Sequence, residues 1–123
     1  MANQTCAGTF QGRVLTVSIL LDQVRDAKVA HDFRDDIIAL INKEQPKGIV
    51  IDLAKVKFIG SVGLLAFLGV RRQLSGGRIV LCNLSDPIRE VFSVCRLIAT
   101  DTKTAAPFET ANTTAEALAQ LSA

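Results

Sequence analysis

The stretch whose reading decides the fold is Lys47 to Arg72, KGIVIDLAKVKFIGSVGLLAFLGVRR. Gly48 to Leu53 is short, apolar and β-branched through Ile49, Val50 and Ile51, the composition of a strand buried on both faces of a sheet. A turn follows and ends in Phe58-Ile59-Gly60-Ser61-Val62-Gly63, and Leu64 to Gln73 then reads as a helix. No charged residue occurs between Ser61 and Val70. A helix apolar on every side cannot bury its whole circumference against one sheet in so small a protein, so part of it is expected to face a partner. Ser61 places a single hydroxyl where this helix begins, a position at which backbone N–H groups favour an anion.

Upstream of this stretch, Thr5 to Phe10 and Arg13 to Leu20 (RVLTVSIL) read as two strands of a hairpin turning at Gln11-Gly12. A helix is expected over Asp26 to Lys43. Phe33, Ile37, Leu40 and Ile41 recur at i, i+4, i+7 and i+8, while Asp32, Arg34, Asp35 and Lys43 lie off that stripe. Pro46 ends this helix. Downstream, Ser75-Gly76-Gly77 closes the central helix and Arg78 to Asn83 (RIVLCN) reads as a strand. Asp86 reads as a helix cap with Pro87 at the first helical position, followed by Ile88, Val91, Phe92 and Cys95 at helical spacing. Arg96 to Pro107 is expected to be a loop, Phe108 to Thr110 an edge strand, and Thr113 to Leu121 a last helix with Ala117, Leu118 and Leu121 on one face. Strands alternating with helices predict one α/β domain: a mixed sheet of four or five strands, opened by the hairpin, with about four helices.

Bulk properties narrow the function. A chain of 123 residues that is 49% hydrophobic suits one domain with one core. A net charge of +2, no basic stripe, and no Trp or Tyr on which bases could stack all argue against nucleic acid. Cys6, Cys82 and Cys95 are odd in number and lack CxxC spacing, which fits a reducing compartment rather than a disulfide scaffold. The opening MANQTCAGTF shows no basic region followed by an apolar block, and Val14 to Leu21 is too short to cross a bilayer. A cytoplasmic domain without membrane insertion is the expectation.

Catalytic parts are missing from the sequence. His31 is the sole histidine, with no second ligand at metal spacing, and Asp22, Asp26, Asp32, Asp35 and Asp36 do not alternate as calcium ligands do. Gly76-Gly77 belongs to no GxGxxG or GxxxxGK pattern. No nucleophile has an evident base, so neither an enzyme nor a cofactor is expected. Cys82 and Cys95 lie on apolar elements and read as core. Asp52 ends the central strand on the side where ligands gather in open α/β sheets; orienting the Ser61 loop and capping the turn after the strand are both open to it.

The order of elements, together with Val50-Ile51-Asp52-Leu53, Val56-Lys57-Phe58-Ile59-Gly60-Ser61-Val62-Gly63-Leu64 and the later Gly76 to Asn83, resembles the STAS domain of sulfate transporters and bacterial anti-sigma factor antagonists. The resemblance covers about Thr5 to Leu121, and the family pattern at the turn is Asp-Ser-Ser-Gly-Leu. Gly60 stands in place of its Asp and Val62 in place of its second Ser, whereas Ser61, Gly63 and Leu64 match.

The resemblance implies a module that binds an anti-sigma factor kinase of the histidine-kinase-like ATPase type and is switched off by phosphorylation at Ser61. Gly60, Ser61, Val62, Gly63, Leu64, Phe67, Leu68 and Arg71 would form the docking face, which is also a candidate homodimer surface. Two other roles stay open: a scaffold or accessory subunit of a signalling or transporter complex, and a binder of a nucleotide or lipid. For Ser61 itself the alternative to a phosphoacceptor is a plain N-cap, worth about 1 kcal/mol.

Overall fold

The computed structural model describes residues 5–74, 76–98 and 106–122. Strands β1 (Cys6–Gln11) and β2 (Val14–Ile19) pair antiparallel through a turn at Gly12 and Arg13, both in the left-handed region with φ 60° and 67°. A two-residue strand β3 (Gln23–Val24) leads into α1 (Ala27–Glu44), and β4 (Gly48–Asp52) follows. A second two-residue strand, β5 (Phe58–Ile59), precedes α2 (Ser61–Gln73). The chain continues through β6 (Arg78–Cys82), α3 (Asp86–Val94), β7 (Glu109–Ala111) and α4 (Thr114–Ser122).

The main sheet has the order β1-β2-β4-β6-β7, parallel except for the opening hairpin. β4 lies at its centre with Ile49, Val50 and Ile51 fully buried, as a strand covered on both faces must be. Alternation divides the core. Leu15, Val17, Ile19, Ile49, Ile51, Ile79 and Leu81 face α1, α2 and α3, whereas Val50, Val80 and Cys82 face Ala117 of α4. Phe67 sits at the middle of an aromatic cluster, with ring centroids 5.0 Å from Phe33, 5.3 Å from Phe92 and 6.1 Å from Phe108.

Local chemistry explains the ends. Asp26 caps α1 by accepting the Val29 N–H at 2.8 Å, and Gln45 closes it in the left-handed conformation one residue before Pro46. The cap of α3 is Ser85, one residue earlier than expected. Asp86 and Pro87 then fall in its first turn, where a missing N–H costs nothing because those amides have no helical partner. α3 stops at Val94, so Cys95 leaves the apolar stripe and is exposed; the expectation that it belongs to the core is corrected. α2 begins at Ser61, three residues before the expected Leu64. The edge strand is displaced to Glu109–Ala111, with Phe108 bridging to Ile98 instead. Leu118 faces solvent rather than joining Ala117. Of the expected Arg96 to Pro107 loop, 99–105 lie outside the described residues, as do Ser75 and 1–4 of the N-terminal segment.

Candidate functional site

The start of α2 is stitched to the segment that enters α1. β3 and β5 pair parallel, Gln23 with Phe58 and Val24 with Ile59. The Lys57 and Phe58 N–H groups both donate to the Asp22 carbonyl, at 2.7 and 3.3 Å, and the Gly60 N–H donates to the Val24 carbonyl at 2.8 Å. Gly60 is therefore the N-cap. It is extended (φ −86°, ψ 178°), and its carbonyl accepts the Leu64 N–H at 3.1 Å, but it has no side chain with which to cap the first turn. Ser61 is the first helical residue and is exposed, so the plain N-cap role expected as its alternative falls to Gly60. No acidic residue occupies the first turn of α2. A negative charge arriving at Ser61 would meet first-turn amides that have no helical partner.

The two glycines of the turn differ. A β-carbon on Gly63 would lie 2.8 Å from Ile59 Cγ2 and 2.9 Å from Val24 Cγ1, so Gly63 is what lets the helix approach β3 and β5. A β-carbon on Gly60 would meet nothing nearer than 3.6 Å, and its backbone angles suit any residue. Position 60 has room for a side chain and carries none.

The faces of α2 correct part of the expected docking surface. Gly63, Ala66, Phe67 and Val70 form the buried stripe, and Phe67 is 0% exposed among three other rings. It cannot contact a partner. Val62, Leu64 and Leu68 are half-buried against the core. Arg71 donates from Nη1 to the Leu74 carbonyl at 2.8 Å, which commits it to the end of the helix remote from Ser61. The exposed apolar residue is Leu65, at 63%, one turn beyond Ser61 on the same face.

Phe58, 42% exposed, adds a second apolar surface next to Gly60, and the Arg25 guanidinium lies over its ring at 4.7 Å. Sequence reasoning missed Phe58, Leu65 and Arg25. The signal for Leu65 was present: once Ser61 is set outward, the i+4 position must also face outward.

Of the two roles left open for Asp52, its contacts give the turn cap, and among the described residues none reaches the Ser61 loop. Its Oδ1 accepts the Ala54 N–H at 2.9 Å, capping the turn that leads to β5, and also accepts Asn83 Nδ2 at 3.0 Å. Asn83 is in the left-handed conformation (φ 59°) and lies 3.4 Å from Thr114 Oγ1, so this cluster ties the ends of β4 and β6 to the start of α4. Burial raises the thiol pKa of neighbouring Cys82. The three aspartates of α1 are engaged: Asp32 pairs with Lys28 and Asp35 with Arg34 within the helix, and Asp36 accepts from Thr5 Oγ1 at 2.6 Å. Among the described residues no group of three His, Cys, Asp or Glu could hold a metal, and no helix is long and apolar enough to cross a membrane.

Comparison with known proteins agrees with this architecture. The chain is 33% identical over 76 residues to the protein named anti-sigma factor antagonist BtrV of Bordetella bronchiseptica; the match spans 60% of this chain and 65% of that one. The structure superposes on an anti-sigma-factor antagonist (STAS) domain protein from Planctomyces limnophilus with a TM-score of 0.78 and 22% identity, covering 98% and 99% of the two chains. It superposes on the anti-sigma factor antagonist SpoIIAA in its unphosphorylated form with a TM-score of 0.66 and 22% identity, covering 95% and 97%. SpoIIAA, a cell fate determinant of Bacillus, is also known in a phosphorylated form, which matches with a TM-score of 0.65 at 24% identity over 94% and 97% of the chains. The STAS domain family model matches residues 13–117, and the chain belongs to that family.

Proposed function

We propose that this domain acts as an anti-sigma factor antagonist: it captures a serine-kinase-type anti-sigma factor in the cytoplasm, and phosphorylation of Ser61 by that kinase releases it. The observation that carries the reading is the juxtaposition of an exposed hydroxyl, Ser61, at the start of α2 with exposed hydrocarbon at Leu65 and Phe58. Such a pair can bind an apolar partner surface and be switched by charge. A phosphate adds about 1.5 to 2 negative charges. Inside this chain the helix start accommodates them. Against a docked partner they would have to be desolvated, which is costly. Modification therefore separates the complex without unfolding the domain. The likeness to BtrV, named as an antagonist, and to SpoIIAA, known with and without phosphate, supports this reading.

Incubation with ATP and the cognate anti-sigma kinase, followed by peptide mass spectrometry, is the test. One phosphate on the peptide containing Ser61, absent from Ser61→Ala, is the expected result. In binding assays Ser61→Asp weakens the complex and Ser61→Ala preserves it. A kinase that binds but transfers no phosphate points to a second reading, a STAS scaffold without regulated phosphorylation, which the missing side chain at Gly60 favours.

A further inference from the structure

Arg25 lies between β3 and α1, directly against the phosphoacceptor turn. The Gly60 N–H is bonded to the carbonyl of the preceding residue, Val24, at 2.8 Å. A β-carbon at position 60 would stand 3.7 Å from the Arg25 carbonyl and 3.7 Å from Phe58 Cε2. The Arg25 guanidinium rests on that same Phe58 ring, 4.7 Å from its centroid. The Arg25 backbone and the edge of the Phe58 ring thus flank position 60, next to Ser61, and the Arg25 guanidinium is anchored on that same ring. Among the described residues Arg25 has no carboxylate partner; the three ion pairs all lie elsewhere. Position 60, which could have supplied an acid without steric cost, supplies none. Asp22 and Asp26 flank Arg25 in sequence, but the Asp26 carboxylate is already committed to the cap of α1.

A guanidinium over an exposed ring is loosely held, whereas a guanidinium facing a phosphate makes paired charge-assisted hydrogen bonds. We propose that Arg25 is the internal receptor for a phosphate on Ser61, and that modification draws its guanidinium off Phe58. The inference rests on the phosphoacceptor reading of Ser61. In the transfer itself the γ-phosphoryl group of a nucleoside triphosphate moves to Ser61 Oγ. The bond to the leaving diphosphate breaks, the new P–O bond forms, and the hydroxyl proton passes to a base of the kinase. Arg25 then pairs with the product. The switch consequently changes the docking face twice: it adds an anion at Ser61 and removes a cation from Phe58. A partner that offers an acidic group beside apolar side chains loses both contacts together.

The test uses phosphoserine placed at position 61 during translation of the full chain, so it does not depend on any kinase. Its second ionisation, near pH 6 in a free phosphoserine, is followed by phosphorus NMR in the parent protein and in Arg25→Gln and Arg25→Lys. The midpoint in the parent is expected to lie about half a unit or more below that of Arg25→Gln, with Arg25→Lys between them. The ring-shifted δ-methylene protons of Arg25 are expected to move to ordinary positions on phosphorylation. Equal midpoints in the parent and Arg25→Gln, or Arg25 protons that remain over the ring, overturn the proposal. Failure of a kinase to modify Ser61 would instead overturn the phosphoacceptor reading, and the two failures are separable.

Discussion

Gly63 and Val24 are held so close that a β-carbon on the glycine would come within 2.9 Å of Val24 Cγ1, with Ile59 Cγ2 on its other side at 2.8 Å. Both neighbours are β-branched and buried, so neither can swing away. Gly63→Ala is expected to destabilise the domain by about 1–3 kcal/mol through overpacking, despite alanine's better helix propensity. Urea unfolding measures it; a midpoint higher than the parent's would show that the contact yields.

Gly60 should respond in the opposite direction. Its backbone angles suit any residue and a side chain has space, so Gly60→Asp adds a capping carboxylate at the positive end of α2. A gain of a few tenths to about 1 kcal/mol is expected, read as a rise in melting temperature. A fall would mean that the β3–β5 pairing cannot accept the group.

Phe67 and Leu65, two residues apart on one helix, should part company. Phe67→Ala removes the centre of the aromatic cluster and is expected to cost about 3–5 kcal/mol of stability. Leu65→Glu changes an exposed side chain and should stay within about 0.5 kcal/mol of the parent while weakening the proposed capture of an anti-sigma kinase. Calorimetric titration with that kinase checks the second half, and unchanged affinity would remove Leu65 from the docking face.

The thiols offer a pH-dependent test. Cys6 and Cys82 are buried and Cys95 is exposed, so an aromatic disulfide reagent should react quickly with one thiol in the native protein and with all three after unfolding. Burial pushes the Cys6 thiol up to about 11 from an ordinary 9.0. The folded state therefore holds this proton more tightly than the unfolded chain does. That contribution is intact below pH 9 and is lost as pH rises toward 11, by roughly 2–3 kcal/mol at one unit per about 1.4 kcal/mol. Alkaline urea titrations should show the decline, and Cys6→Ala should reduce it, leaving the part that comes from the buried Cys82 thiol, which is raised in the same direction.

Much of the fold was legible because periodicity and punctuation agree. Ile49-Val50-Ile51, the stripe of Phe33, Ile37 and Ile41, and the breaks at Gly12, Pro46 and Gly76-Gly77 each point to one local structure, and the elements around them form where that chemistry requires. β3 and β5 were not legible. Two residues carry no period, and Gln23-Val24 becomes a strand only because Phe58-Ile59 comes to lie beside it. The start of α2 was misplaced because a glycine N-cap without a capping side chain gives no sequence signal.

By itself, the sequence determined the order of strands and helices, the hydroxyl at the head of the central helix, and the excess of hydrocarbon on that helix. Only the tertiary structure decided which hydrocarbon remains outside. Phe67 and Leu65 are equally apolar in a run without charge, and hydrophobicity has no direction. The phase of α2 about its axis is set where Gly63 seats against Val24 and Ile59, and that contact turns Phe67 inward and Leu65 outward. The same packing brings Arg25 and Phe58, 33 positions apart in the chain, to the edge of the turn that carries Ser61.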